Sequence, residues 1–123
     1  RGKTMSGRRP THSTEIDGKK YIWDTERLWN LARNLSIFDK DVETFDELDV
    51  DCWFGNRSPT IREVASHTRR INDVDISIPV IINENGRLMD GGHRLARALL
   101  DGRKTIRAVQ FEQMPEPDRI EDL

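Results

Sequence analysis

Asp90-Gly91-Gly92-His93-Arg94 sets two glycines beside a histidine and an arginine, after a short apolar run and before a helix-forming one. A helix start leaves backbone N–H groups unpaired and carries the positive end of the helix dipole. Glycines let that backbone approach a ligand without a Cβ in the way. Histidine adds a donor, and arginine adds a fixed charge with a fork of donors. Together these residues suit a phosphate or other anion. The plainer alternative is helix capping with an ion pair between Arg94 and Asp90.

Other reactive side chains are scattered. Cys52 is the sole cysteine, so no internal disulfide is available. No basic residue adjoins it, and it reads as a packing residue rather than a nucleophile. Cys52, His12, His67 and His93 lack the spacing of a zinc site, so no metal is expected there. Arg57, Arg62, His67, Arg69 and Arg70 form a basic group. Its last members suit a helix C-terminus, and together the five could line a nucleic-acid groove. Trp53 and Phe54 could stack on a base, although core packing is the simpler use; Trp23 and Trp29 read as core.

Residues 1–14 are polar and read as a disordered basic arm. Asp17-Gly18 signals a hairpin turn before Tyr21-Ile22-Trp23. Leu28, Leu31, Ala32 and Leu35 repeat at helical spacing, predicting a helix from Thr25 to Leu35 capped by Asp24 or Thr25. Ile37 to Asp41 reads as a connection, and Val42 to Leu48 as a short strand. Thr60 and Glu63 have capping-box spacing; Ser58 with Pro59 is the other candidate start. Ile61, Val64, Ala65, Thr68 and Ile71 form one apolar stripe, so this helix runs to about Asn72. The β-branched run Ile78 to Ile82 predicts a buried strand. Asn85-Gly86 turns it back into a strand over Arg87–Met89. The helix after the glycine pair stops at Gly102, and a last strand covers Thr105–Phe111. Residues 112–123 read as an acidic tail. The sum is an α+β domain over residues 15–111: a small mixed sheet with packed helices.

The 123 residues suit a single domain, and a net charge of −2 argues against a dedicated non-specific DNA binder. The charge is uneven. Residues 1–20 carry Arg1, Lys3, Arg8, Arg9, Lys19 and Lys20 against Glu15 and Asp17. Such an arm could touch DNA or a protein partner. No apolar run approaches membrane-spanning length and no signal-like segment is present, so a cytoplasmic location is expected.

Pro79-Val80-Ile81-Ile82, the turn, Leu88 to Ala98 with its Asp-Gly-x-His-Arg core, Gly102 and the final strand together resemble the ParB/sulfiredoxin superfamily, over roughly Val42 to Phe111. The resemblance implies a nucleotide site for ATP, ADP or CTP, with phosphates at Gly91, Gly92, His93 and Arg94. Asp90 would hold the turn or stand near Mg²⁺. Sulfiredoxins place a catalytic cysteine directly before the His-Arg pair; Gly92 stands there, so sulfinic-acid reduction is not expected. Partition-type ParB proteins carry a Gly-Glu-Arg-Arg motif and a large helix-turn-helix domain, and this sequence has neither. Free-amino-acid kinases of the superfamily use a carboxylate in the loop before the second helix as general base. That loop offers Glu47, Asp49 and Asp51, and Asp49 and Asp51 are the catalytic candidates. The expectation is a ParB-like nucleotide-binding domain with phosphoryl transfer or NTP hydrolysis as its chemistry. The alternatives are a non-enzymatic DNA-binding accessory module and a ParB-like nuclease.

Overall fold

Asp24 closes a strand and opens a helix. Its carboxylate accepts hydrogen bonds from the backbone N–H of Glu26 at 2.8 Å and Arg27 at 3.3 Å, as a helix N-cap does. The computed structural model describes residues 10–123. Their order is β1 (Thr11–Ile16), β2 (Lys19–Asp24), α1 (Thr25–Ala32), β3 (Phe38–Asp41), α2 (Ile61–Asp73), β4 (Val80–Ile82), β5 (Leu88–Asp90), α3 (Gly92–Leu100), β6 (Thr105–Gln110) and β7 (Arg119–Asp122).

The strands form two sheets. A four-stranded mixed sheet runs β3-β6-β4-β5, with β4 and β6 parallel and the other pairs antiparallel. A three-stranded antiparallel sheet runs β1-β2-β7. Each face of the mixed sheet has its own core. Val80, Ile82, Ile106 and Ala108 point to one side, with Val42, Phe45 and α3's Leu95 and Ala98. Ile81, Val109 and Met89 face the other, against Trp23 of β2 and Leu28 and Ala32 of α1. Alternation along β4 and β6 therefore divides α3 from α1.

Several local signals hold. The β1–β2 hairpin turns through Asp17 at φ 51° and Gly18 at φ 79°, the two positive values of a type I′ turn. Thr60 and Glu63 close a reciprocal capping box, so Thr60 rather than Ser58 starts α2. Gly102 at φ 71° ends α3 in a Schellman motif: its N–H reaches Leu99 O, and Arg103 N–H reaches Ala98 O.

Other expectations are corrected. Val42–Leu48 is not a strand but two short 3-10 turns, Val42–Thr44 and Asp46–Asp49. Val42, Phe45 and Leu48 recur every three residues, the period that keeps one side of a 3-10 helix inward. The expected connection holds β3 instead, and α1 ends at Ala32. Residues 11–14 are part of β1 rather than a disordered arm, and the acidic tail contains β7; the arm's residues 1–9 lie outside the described residues. The tail is also tied by side chains. Trp23 Nε1 donates to Pro115 O at 2.8 Å, and Asp24 N donates to Asp118 Oδ2 at 2.6 Å. The apolar stripe of α2 is not core: Ile61 is 90% exposed and Val64 48%. The partly covered line of this helix is instead Glu63, His67 and Ile71.

Candidate functional site

The chain leaves β5 at Asp90 and enters α3 through Gly91, whose φ of 114° is the left-handed geometry glycine tolerates. A Cβ on Gly91 would sit 2.5 Å from Val80 Cγ1, so β4 packs directly on this backbone. No side chain caps the helix. Leu95 N–H closes the first helical turn on Gly91 O, leaving the N–H groups of Gly92, His93 and Arg94 without intrahelical acceptors.

Asp90 is anchored rather than free. Trp29 Nε1 of α1 donates to its Oδ2 at 2.7 Å, and Arg94 Nη2 pairs with the same oxygen at 3.2 Å. The Arg94 guanidinium lies 5.5 Å from the Trp29 ring centroid, a cation–π placement. Its Nε is buried and has no hydrogen-bond partner among the described residues.

His93 meets an unexpected partner. Its Nε2 lies 2.8 Å from His67 Nδ1 of α2. Trp53 stacks on both imidazoles, at centroid distances of 4.7 Å to His93 and 4.5 Å to His67. Rings on opposite faces of an indole would be roughly 7 Å apart, given stacking contacts near 3.5 Å. The imidazole centroids are 5.0 Å apart, so both lie side by side on one face of Trp53. Trp53 also abuts the helix start, since a Cβ on Gly92 would come 3.2 Å from its Nε1.

The turn and this ring line a cleft of about 560 Å³, to which β1 contributes Thr11, His12 and Ser13. Its electrostatics favour neutral histidines. His93 is pushed down to about 4, first by burial and then by the positive charges of His67, Arg70 and Arg94, against the pull of Asp90. His12 is lowered by burial, which outweighs Asp90 and Glu47. His67 is lowered by burial and Arg70.

Asp90 through Arg94 all line the cleft, whereas Asp49 and Asp51 do not. The Asp51 carboxylate accepts from the backbone N–H groups of Trp53, Phe54 and Asn56, at 2.9, 2.7 and 2.6 Å, and so holds the loop that carries Trp53. These bonds lower its pKa. Of the carboxylates in that loop, Glu47 is the one that reaches the cleft, gripped by Leu88 N–H at 2.9 Å and Arg87 Nη1 at 3.3 Å. Cys52 is exposed overall, but partial burial of its sulfur, with Glu47 and Asp51 nearby, raises its pKa, which disfavours a thiolate. On the basic surface, Arg57 is engaged by Glu63 through two hydrogen bonds, at 2.9 and 2.6 Å.

Sequence reasoning missed His12 and the Trp53–His67 cover. His12 sits in a polar run resembling an arm, and only the β1–β2 register brings it opposite Trp23. Among the described residues no group of three or more His, Cys, Asp or Glu is placed to hold a metal ion. No helix among them is long and apolar enough to cross a membrane. No protein-family model, curated protein or solved structure matches this chain.

Proposed function

We propose that the chain is a ParB/sulfiredoxin-like domain that binds a nucleotide, ATP, ADP or CTP, with its phosphates at Gly91–Arg94. The observation that carries this reading is the uncapped start of α3, which opens into a cleft of ligand size beside a glycine pair. The amides of Gly92, His93 and Arg94 would meet phosphate oxygens. Arg94 would reach them with the guanidinium atoms that Asp90 does not engage. Mg²⁺ would arrive on the phosphates, because Asp90 and Glu47 are already held by donors.

Transfer or hydrolysis of the terminal phosphoryl group needs a proton acceptor. Within the cleft, neutral His12 is better placed for that than Asp49 or Asp51. DNA binding through the basic arm and the Arg57–Arg70 surface has less support, because Glu63 already neutralises Arg57.

Calorimetry with ATP, ADP and CTP in the presence of Mg²⁺ tests the reading. Binding is expected, weakened by roughly 1.5–3 kcal/mol in Arg94→Ala, the range for hydrogen bonds to charged groups. No heat with any nucleotide would overturn it. Phosphate release should fall in His12→Asn and persist in Asp49→Asn; the opposite pattern would return the role of base to Asp49.

A further inference from the structure

A second cleft, of about 520 Å³, opens on the α1 side of the mixed sheet. Its walls include Ala32, Leu35, Ile37, Ile78, Pro79 and Val109. Ile37 is 52% exposed and Ile78 41%, so apolar surface faces solvent where a folded chain ordinarily covers it. Two cations, Arg33 and Arg94, also line this cleft, and no Asp or Glu does. Arg33 hydrogen-bonds only the neutral Asn30 Oδ1, at 2.8 Å, among the described residues. Arg94 pairs with Asp90, which belongs to the other cleft, and its buried Nε lacks an acceptor. A buried donor left unpaired is unfavourable until an acceptor reaches it.

The geometry points to a binding site for a small apolar monocarboxylate, its hydrocarbon or aryl body against Leu35, Ile37 and Ile78 and its carboxylate between Arg33 and Arg94. Apolar walls alone would accept any hydrophobic molecule. The uncompensated charge at Arg33 and the unpaired Arg94 Nε select one carrying a single anionic acceptor. A polyanion such as a nucleotide would find too little positive charge here and too much apolar wall. The two clefts share Arg94, but Arg33 and the apolar walls belong to this one alone, and the assignment does not rest on the reading of the other cleft.

Titration of ¹⁵N-labelled protein with hexanoate and phenylacetate, each against its neutral amide, hexanamide or phenylacetamide, tests the assignment. The Trp29 indole N–H, assigned with Trp29→Phe, is the reporter, since Trp29 lines this cleft. Saturable shifts at Trp29 are expected for the acids, with the amides about tenfold weaker or more, the scale of a charge-assisted hydrogen bond. Arg33 is exposed, so Arg33→Gln should fold normally and weaken the acids about tenfold while leaving the amides unchanged. Arg69→Gln, on α2, should change nothing. Equal affinity for acid and amide would overturn the proposal. So would no saturable shift up to about 10 mM, or shifts centred on Trp53 instead of Trp29.

Discussion

His67 Nδ1 and His93 Nε2 are 2.8 Å apart, joining α2 to α3 by a hydrogen bond that needs one donor and one acceptor. Two protonated imidazoles cannot make that bond. The pair is therefore a joint that holds only while at least one ring is neutral, and the charges of Arg70 and Arg94 favour neutrality while Asp90 opposes it.

Acid should loosen this joint. His93 takes its proton near 4 in the folded chain, against 6.5 unfolded, so between those values the unfolded state binds more protons. Its contribution is present in full above about pH 6.5 and is lost as pH falls toward 4. Solvent screening of this part-buried ring limits the loss to about 1 kcal/mol. Urea denaturation at pH 7 and pH 5 should show a drop that His93→Gln reduces. An unchanged difference in the variant would contradict the assignment.

Gly91→Ala should be among the costliest single changes outside the core. It forces a side chain into φ 114° and drives the new methyl to 2.5 Å from Val80 Cγ1. Strain and overpacking together predict a loss of about 3 kcal/mol in denaturant unfolding. Gly18→Ala keeps a positive φ of 79° but meets nothing within 4 Å, and should cost only about 1 kcal/mol.

Asp51→Ala should free the Trp53 loop without touching the cleft walls directly. Hydrogen exchange at the Trp53, Phe54 and Asn56 amides, which Asp51 now accepts, should quicken. Asp49→Ala should leave those three amides as protected as before. Equal effects of the two substitutions would separate the loop's order from Asp51.

Shortening the chain to end at Met114 should destabilise β2. It deletes β7, the Pro115 acceptor of Trp23 and the Asp118 acceptor of Asp24. Each lost hydrogen bond is worth about 1 kcal/mol, so a clear fall in melting temperature is expected, with faster exchange across Tyr21–Ile22. A chain that melts unchanged would show residues 115–123 to be a dispensable tail.

What could be read in the sequence was local. Asp17-Gly18, Thr60 with Glu63, and Gly102 each specify backbone geometry within a few residues, and each does so in the fold. The Asp90–Arg94 turn belongs with them. β3 and β7 could not be read, because every β7 residue is exposed and β3 has one partly covered position, so no alternation marks them. Both exist through partners far along the chain. The stripe on α2 misled for a related reason: helical spacing shows which residues share a face, not whether that face is covered. Glu47 was visible as one acid among several, and its pairing with Leu88 and Arg87 is what distinguishes it from Asp49 and Asp51.

The bond from the Trp23 indole to Pro115 spans 92 residues. During synthesis from the N-terminus, the β1–β2 hairpin can therefore form early but must wait, its indole donor unanswered, until nearly the whole domain has emerged. Closing so long a loop is a slow, entropically costly step that local contacts do not repay in advance. The three-stranded sheet thus acts as a clasp fastened late, and its first strand carries His12 to the cleft at the start of α3.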